Sequence, residues 1–147
     1  MEATGTLIAV CVGAEVGKRK APVPSAQAKN DFGLAGDCHA GTGRQVSLLA
    51  EESIVKMQAK GLRVGPGDFA ENLTTRGLTL HQLSPGTRLL VGDSVQLEIT
   101  QIGKKCHAEC EIKQATGSCI MPSEGVFARV LAGGEVKPGD QIRVMSA

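Results

Sequence analysis

The chain has no tryptophan and no tyrosine, and its aromatics are three phenylalanines: Phe32, Phe69 and Phe127. A core built on aromatic stacking is therefore excluded, and the interior must come from Val, Leu, Ile and Ala. The 41% hydrophobic content supplies that material. A charge bias is also missing. The net charge of +1 gives no electrostatic case for a nucleic acid or anionic membrane partner. No apolar run approaches the ~20 residues that span a bilayer. The opening residues Met1-Glu2-Ala3-Thr4-Gly5 place no basic segment before an apolar stretch, so no signal peptide is expected. These absences point to a cytoplasmic protein. In that compartment the five cysteines stay reduced, and an odd number suits a full disulfide framework poorly.

What is present fits one domain, residues 1–147. Nineteen glycines imply many turns and tight backbone passages, as in a strand-rich fold. Residues 6–12 (TLIAVCV) read as a buried strand, and residues 45–49 and 69–74 as further strands. Val95, Leu97 and Ile99 alternate with polar residues, the pattern of a half-buried strand. Residues 141–145 form a last strand after the turn at Pro138-Gly139-Asp140. Residues 50–60 are the best helix, with Ala50, Ile54, Met57 and Gly61 on one face and acids in the first turn. A second helix is expected from Cys106 to Thr116. The basic, proline-containing stretch 17–30 reads as an exposed connection. Many short strands with few helices predict a mainly β, α+β fold: a closed or nearly closed β-barrel with helices on its outside.

Four groups of residues carry candidate chemistry. Cys106 follows a strand and two lysines, Lys104 and Lys105. Positive charge and a helix N-terminus both favour the thiolate, the form that binds soft metals or carries sulfur. Against this stands the ordinary buried thiol. With His107, Cys110 and Cys119 the spacing departs from structural zinc pairs, and a Cys106–Cys110 redox pair is the other alternative. The glycine-rich loop 33–44 presents Asp37, Cys38 and His39 and ends on Arg44. Backbone N–H groups and Arg44 suit an anion such as phosphate, whereas turn formation explains the same residues without a ligand. Asn72 offers donors and acceptors to a heterocycle or to a neighbouring loop. Arg129 lies among apolar neighbours, so its partner is either a carboxylate of this chain or a ligand phosphate.

In order along the chain, GLAGDCHAGTGRQVSLLAEESI, GDFAENLTTRGLTL, LEITQIGKKCH and GVFARVLAGGEVKPGDQI resemble the MOSC family, the domain related to the C-terminal part of molybdenum-cofactor sulfurases. The resemblance implies a short, free-standing bacterial type and a mixed, mostly antiparallel β-barrel with a few peripheral helices. It implies that Cys106 is a molybdenum ligand or persulfide carrier. It further implies that Asn72 contacts a pterin, with Asp37, His39 and Arg44 in the cofactor-binding loop. A molybdopterin-type cofactor is the expected small molecule, with a sulfur donor or electron-transfer protein as partner. The same resemblance leaves open a molybdenum-dependent reductase of N-hydroxylated compounds and a non-catalytic partner in cofactor biosynthesis. Pyridoxal phosphate, associated with the larger sulfurases, finds no Schiff-base lysine signal here.

Overall fold

The structure is a computed structural model that describes residues 3–103 and 120–145. Cys106, His107, Cys110, Cys119 and the helix expected at 106–116 lie outside the described residues.

Alternation of apolar and polar side chains gives each long strand one inward face. In β8 (Val95–Ile102), Val95, Leu97 and Ile99 are buried as the sequence predicts. The same period places Val46 and Leu48 of β5 (Val46–Ala50), Leu73 of β6 (Leu73–Arg76), Leu89 and Val91 of β7 (Arg88–Val91), Val126, Ala128 and Val130 of β9 (Val126–Ala132), and Ile142 of β11 (Gln141–Met145) in one apolar cluster, which Leu7 and, after a register shift between Leu7 and Ala9, Val10 of β1 (Thr4–Val12) join. The strands run in the order β11-β7-β8-β9-β5-β6-β1, and β11 pairs back onto β1. The result is a closed seven-stranded barrel filled by aliphatic side chains. Closure removes two exposed edges. All these pairings are antiparallel except β5–β6, which is parallel and so requires a crossover.

That crossover contains helix α1 (Glu51–Ala59) and the loop that follows it. Glu51 and Glu52 occupy the first turn of α1, where the helix dipole favours them. Its apolar face, Ile54 and Met57, packs on the outside of the barrel. There it meets Leu49, Phe69, Phe127 and Met121 in a second apolar cluster. Two of the three phenylalanines thus lie in this outer layer rather than in the barrel interior. A short helix, α2 (Met121–Glu124), precedes β9.

Two expectations are corrected. The strand placed at 69–74 begins only at Leu73. Gly67 (φ 87°) and Ala70 (φ 64°) turn the chain sharply, so the stretch before Asn72 is a loop. The stretch 17–30 is not a simple exposed connection. It contains β2 (Ala21–Val23), which extends the barrel sheet beside β1. It also contains β3 (Ala26–Lys29), which pairs with β4 (Gly33–Leu34) and β10 (Gly134–Val136) in a small second sheet. Lys20 and Ala28 within it are buried.

Candidate functional site

The glycine-rich loop is held at its centre by a sealed ion pair. The Nζ of Lys20 donates to both carboxylate oxygens of Asp37, at 2.8 and 2.9 Å, and neither side chain has any solvent exposure. Asp37 also accepts the backbone N–H groups of Gly13 and His39, each at 3.1 Å. One carboxylate therefore joins the end of β1, the basic stretch and its own loop. Burial pushes its pKa up. The hydrogen bonds from His39, Lys20 and Gly13, together with the Lys20 charge, outweigh that and hold it well below the usual carboxylate range.

Lys20 reaches this position because its own N–H donates to the Gly67 carbonyl at 2.9 Å. A Cβ at Gly67 would collide with the Lys20 carbonyl oxygen, and its φ is positive, so glycine is required. A third donor direction of Lys20 points to His39 Nδ1 at 3.0 Å, which makes that nitrogen an acceptor and places the ring proton on Nε2. Cys38 Sγ lies 3.4 Å from the same nitrogen. Asp37, Cys38 and His39 thus bring an oxygen, a sulfur and a nitrogen within 4.8 Å of one another. The Cys38 thiol is pushed up by burial, partly offset by the Lys20 charge. It is a protonated thiol at neutral pH, not a ready metal ligand.

Asn72 faces inward. It is fully buried, its Oδ1 accepts the Ser47 N–H at 3.0 Å and the Ser47 hydroxyl at 3.2 Å, and its Nδ2 donates to the Cys11 carbonyl at 3.0 Å. It ties β1 to β5. Cys11, two residues before Gly13, is a sealed thiol pushed up to about 12 by burial and by the Glu71 and Asp68 carboxylates. Glu71, also fully buried, is held by the Phe69 N–H and the Thr74 hydroxyl, both at 3.2 Å. With no cation at hydrogen-bonding distance among the described residues, burial dominates and raises its pKa to about 7.

The two candidate arginines behave differently. Arg44 at the end of the loop lies over the Phe127 ring, 5.4 Å from its centroid. Among the described residues no carboxylate pairs with it. Arg129, two residues along the outward face of β9, donates from Nε to Glu98 at 2.6 Å. Its partner is a carboxylate of this chain, one of the two alternatives its setting allowed.

The structure therefore gathers Asp37 and His39, engages Asn72 between β1 and β5, and sets Arg44 over Phe127, two residues from Arg129 on β9. Lys20 and Glu71 were missed by sequence reasoning. Lys20 is indistinguishable from Lys18 and Arg19 beside it. Glu71 did carry a signal, a lone acid directly after Phe69-Ala70.

A family model, the MOSC domain, matches residues 35–143. The chain belongs to the MOSC domain family. No curated protein matches. Among solved structures, the YuaD protein from Bacillus subtilis superposes with a TM-score of 0.82 at 19% identity, over 100% of this chain and 98% of that one. YiiM from Geobacillus stearothermophilus gives 0.74 at 18% identity over 97% and 75%, and YiiM from Escherichia coli 0.72 at 20% over 97% and 70%. At these identities the likeness speaks for the fold, and this MOSC barrel shares it. Among the described residues, no helix is long and apolar enough to cross a membrane.

Proposed function

We propose that this MOSC protein binds a molybdopterin-type cofactor or carries sulfur for it, with Cys106 as the soft ligand or persulfide carrier. The observation that supports this reading best is Arg44. Its guanidinium rests on Phe127 through its face, and no carboxylate among the described residues neutralises it. That leaves its in-plane N–H donors for a two-pronged contact with phosphate. The described donors therefore fit the anionic arm of such a cofactor. Asp37, spent on Lys20 and two backbone N–H groups, orders the loop, and its neighbour His39 offers Nε2–H as a further donor. Asn72, with its side chain engaged inside the protein, acts from behind by fixing β1 against β5. Arg129 is spent on Glu98.

The bound cofactor would supply a molybdenum centre suited to sulfur- or oxygen-atom chemistry. The thiol of Cys106, beside Lys104 and Lys105, suits soft ligation or receipt of a sulfane sulfur from a persulfide donor. The test separates anion binding from sulfur chemistry. Protein from a molybdenum-replete host is assayed for metal and pterin as wild type, Arg44→Ala and Cys106→Ser. Loss of both in Arg44→Ala, with loss of metal in Cys106→Ser, supports ligation. Retained cofactor in Cys106→Ser, with a persulfide found on Cys106 of the wild type after incubation with a persulfide sulfur donor, supports carriage. Wild type holding no metal, pterin or persulfide would overturn the reading.

A further inference from the structure

The loop that enters β6 is strained and clasped. Gly67 and Ala70 both hold positive φ, 87° and 64°, and the side chain of Ala70 is crowded in that conformation. Two carboxylates keep the loop in place. Asp68 Oδ2 accepts the Gly65 N–H at 2.8 Å at its entry. Glu71 closes its exit: Oε1 accepts the Phe69 N–H and Oε2 the hydroxyl of Thr74 on β6, both at 3.2 Å. Glu71 itself is 0% exposed. The turn it secures also serves the glycine-rich loop. The Gly67 carbonyl accepts the Ala70 N–H at 3.0 Å, which closes the turn, and the Lys20 N–H at 2.9 Å. Lys20 Nζ holds Asp37, and Asp37 holds the N–H groups of Gly13 and His39. A continuous run of bonds therefore leads from the Glu71 carboxyl to the loop that ends on Arg44.

The charges around Glu71 do not neutralise it. On β1 its neighbour is Cys11, a thiol pushed up to about 12 and so uncharged. On its own loop stands Asp68, 3.9 Å from Arg19. The ammonium of Lys20 is spent on Asp37. Burial raises the pKa of Glu71 to about 7 despite the N–H and hydroxyl donors around it. An opened loop lets water reach the carboxylate, so ionisation favours opening.

We propose that Glu71 is a positioning residue for the glycine-rich loop: in its protonated, sealed form it clasps residues 65–71 and sets Lys20 on Asp37, and its ionisation opens the clasp and releases the Asp37 loop. The consequence for the cofactor rests on the reading of Arg44 given above. The clasp does not, so cofactor-free protein tests it and the two fail separately. Amide hydrogen exchange is followed by NMR from pH 5 to 8, corrected for intrinsic rates, at Lys20, Gly13 and His39. The Ile99 N–H, bonded to the Thr87 carbonyl in the barrel, reports global unfolding. Opening at the three amides should rise by up to about tenfold per pH unit between about pH 5 and 7 and level off above, the response to one proton. Glu71→Gln should abolish the rise. Thr74→Val removes a donor to the carboxylate and should move the levelling-off to higher pH, which keeps the test decisive if Glu71→Gln does not fold. A flat wild-type profile, an unchanged rise in folded Glu71→Gln, or an unmoved levelling-off in Thr74→Val would overturn the proposal. So would a rise confined to residues 65–71, or exchange at Lys20 no faster than at Ile99.

Discussion

Lys20–Asp37 and Lys56–Glu124 are the same chemical pair in two settings. Each ammonium lies within 2.9 Å of its carboxylate, and each has a histidine within 4 Å of that carboxylate. The first pair is sealed, with no exposed side-chain surface, and every direction of Asp37 is taken by protein. The second is open: the lysine side chain is 56% exposed. A sealed pair fixes loop geometry and is costly to break. An open pair contributes little to stability. In both cases burial, rather than residue type, decides the role.

The comparison breaks most visibly through Asp37. Asp37→Asn leaves the Lys20 ammonium buried without its counter-charge and should cost about 3–5 kcal/mol by denaturant unfolding. Lys20→Met should cost a similar amount, and the double variant less than the sum, because the two losses share one interaction. Additive costs would mean that the pair is not coupled.

Glu71 sharpens the contrast, being sealed like Asp37 but with no cation at hydrogen-bonding distance among the described residues. Its folded pKa of about 7 lies above the unfolded 4.5, so the folded state holds the proton longer. Stability from this group is fully present below the unfolded value and is lost as pH rises through about 7. Glu71→Gln should flatten the fall in melting temperature across that window. A wild-type profile already flat there would contradict the assignment. Glu124 has the opposite sign. Burial raises its pKa, but Ser53, Lys56 and His81 lower it further, so its contribution holds at neutral pH and is lost on acidification. The smallest effect belongs to the open pair: Lys56→Met should cost under about 1 kcal/mol. A cost as large as that of Asp37→Asn would erase the distinction between the two pairs.

Much of the barrel was legible because its signals are local. The alternation at Val95, Leu97 and Ile99 and the acid-led stretch at 51–59 each state their element without help from distant residues. The late start of β6 was not legible, since a positive φ at a non-glycine residue, Ala70, has no mark in composition. The candidate site divides the same way. Asp37, His39 and Arg44 stand together in one glycine-rich stretch. Lys20 joins them across 17 residues through a hydrogen bond to the Gly67 carbonyl. The Ser53–Glu124 bond spans 71 residues, and no pattern announces such a contact. Asn72 shows the limit of residue type: the groups that equip it for a heterocycle equip it equally to join β1 to β5.

The account rests most directly on the cofactor arm at Arg44. Wild type and Arg44→Ala, purified side by side from a molybdenum-replete host, are assayed for bound molybdenum and pterin, with thermal melts showing that both are folded. The account predicts both in wild type and neither in the variant. Equal amounts in the two proteins, or none in a folded wild type that also carries no persulfide on Cys106, would contradict it.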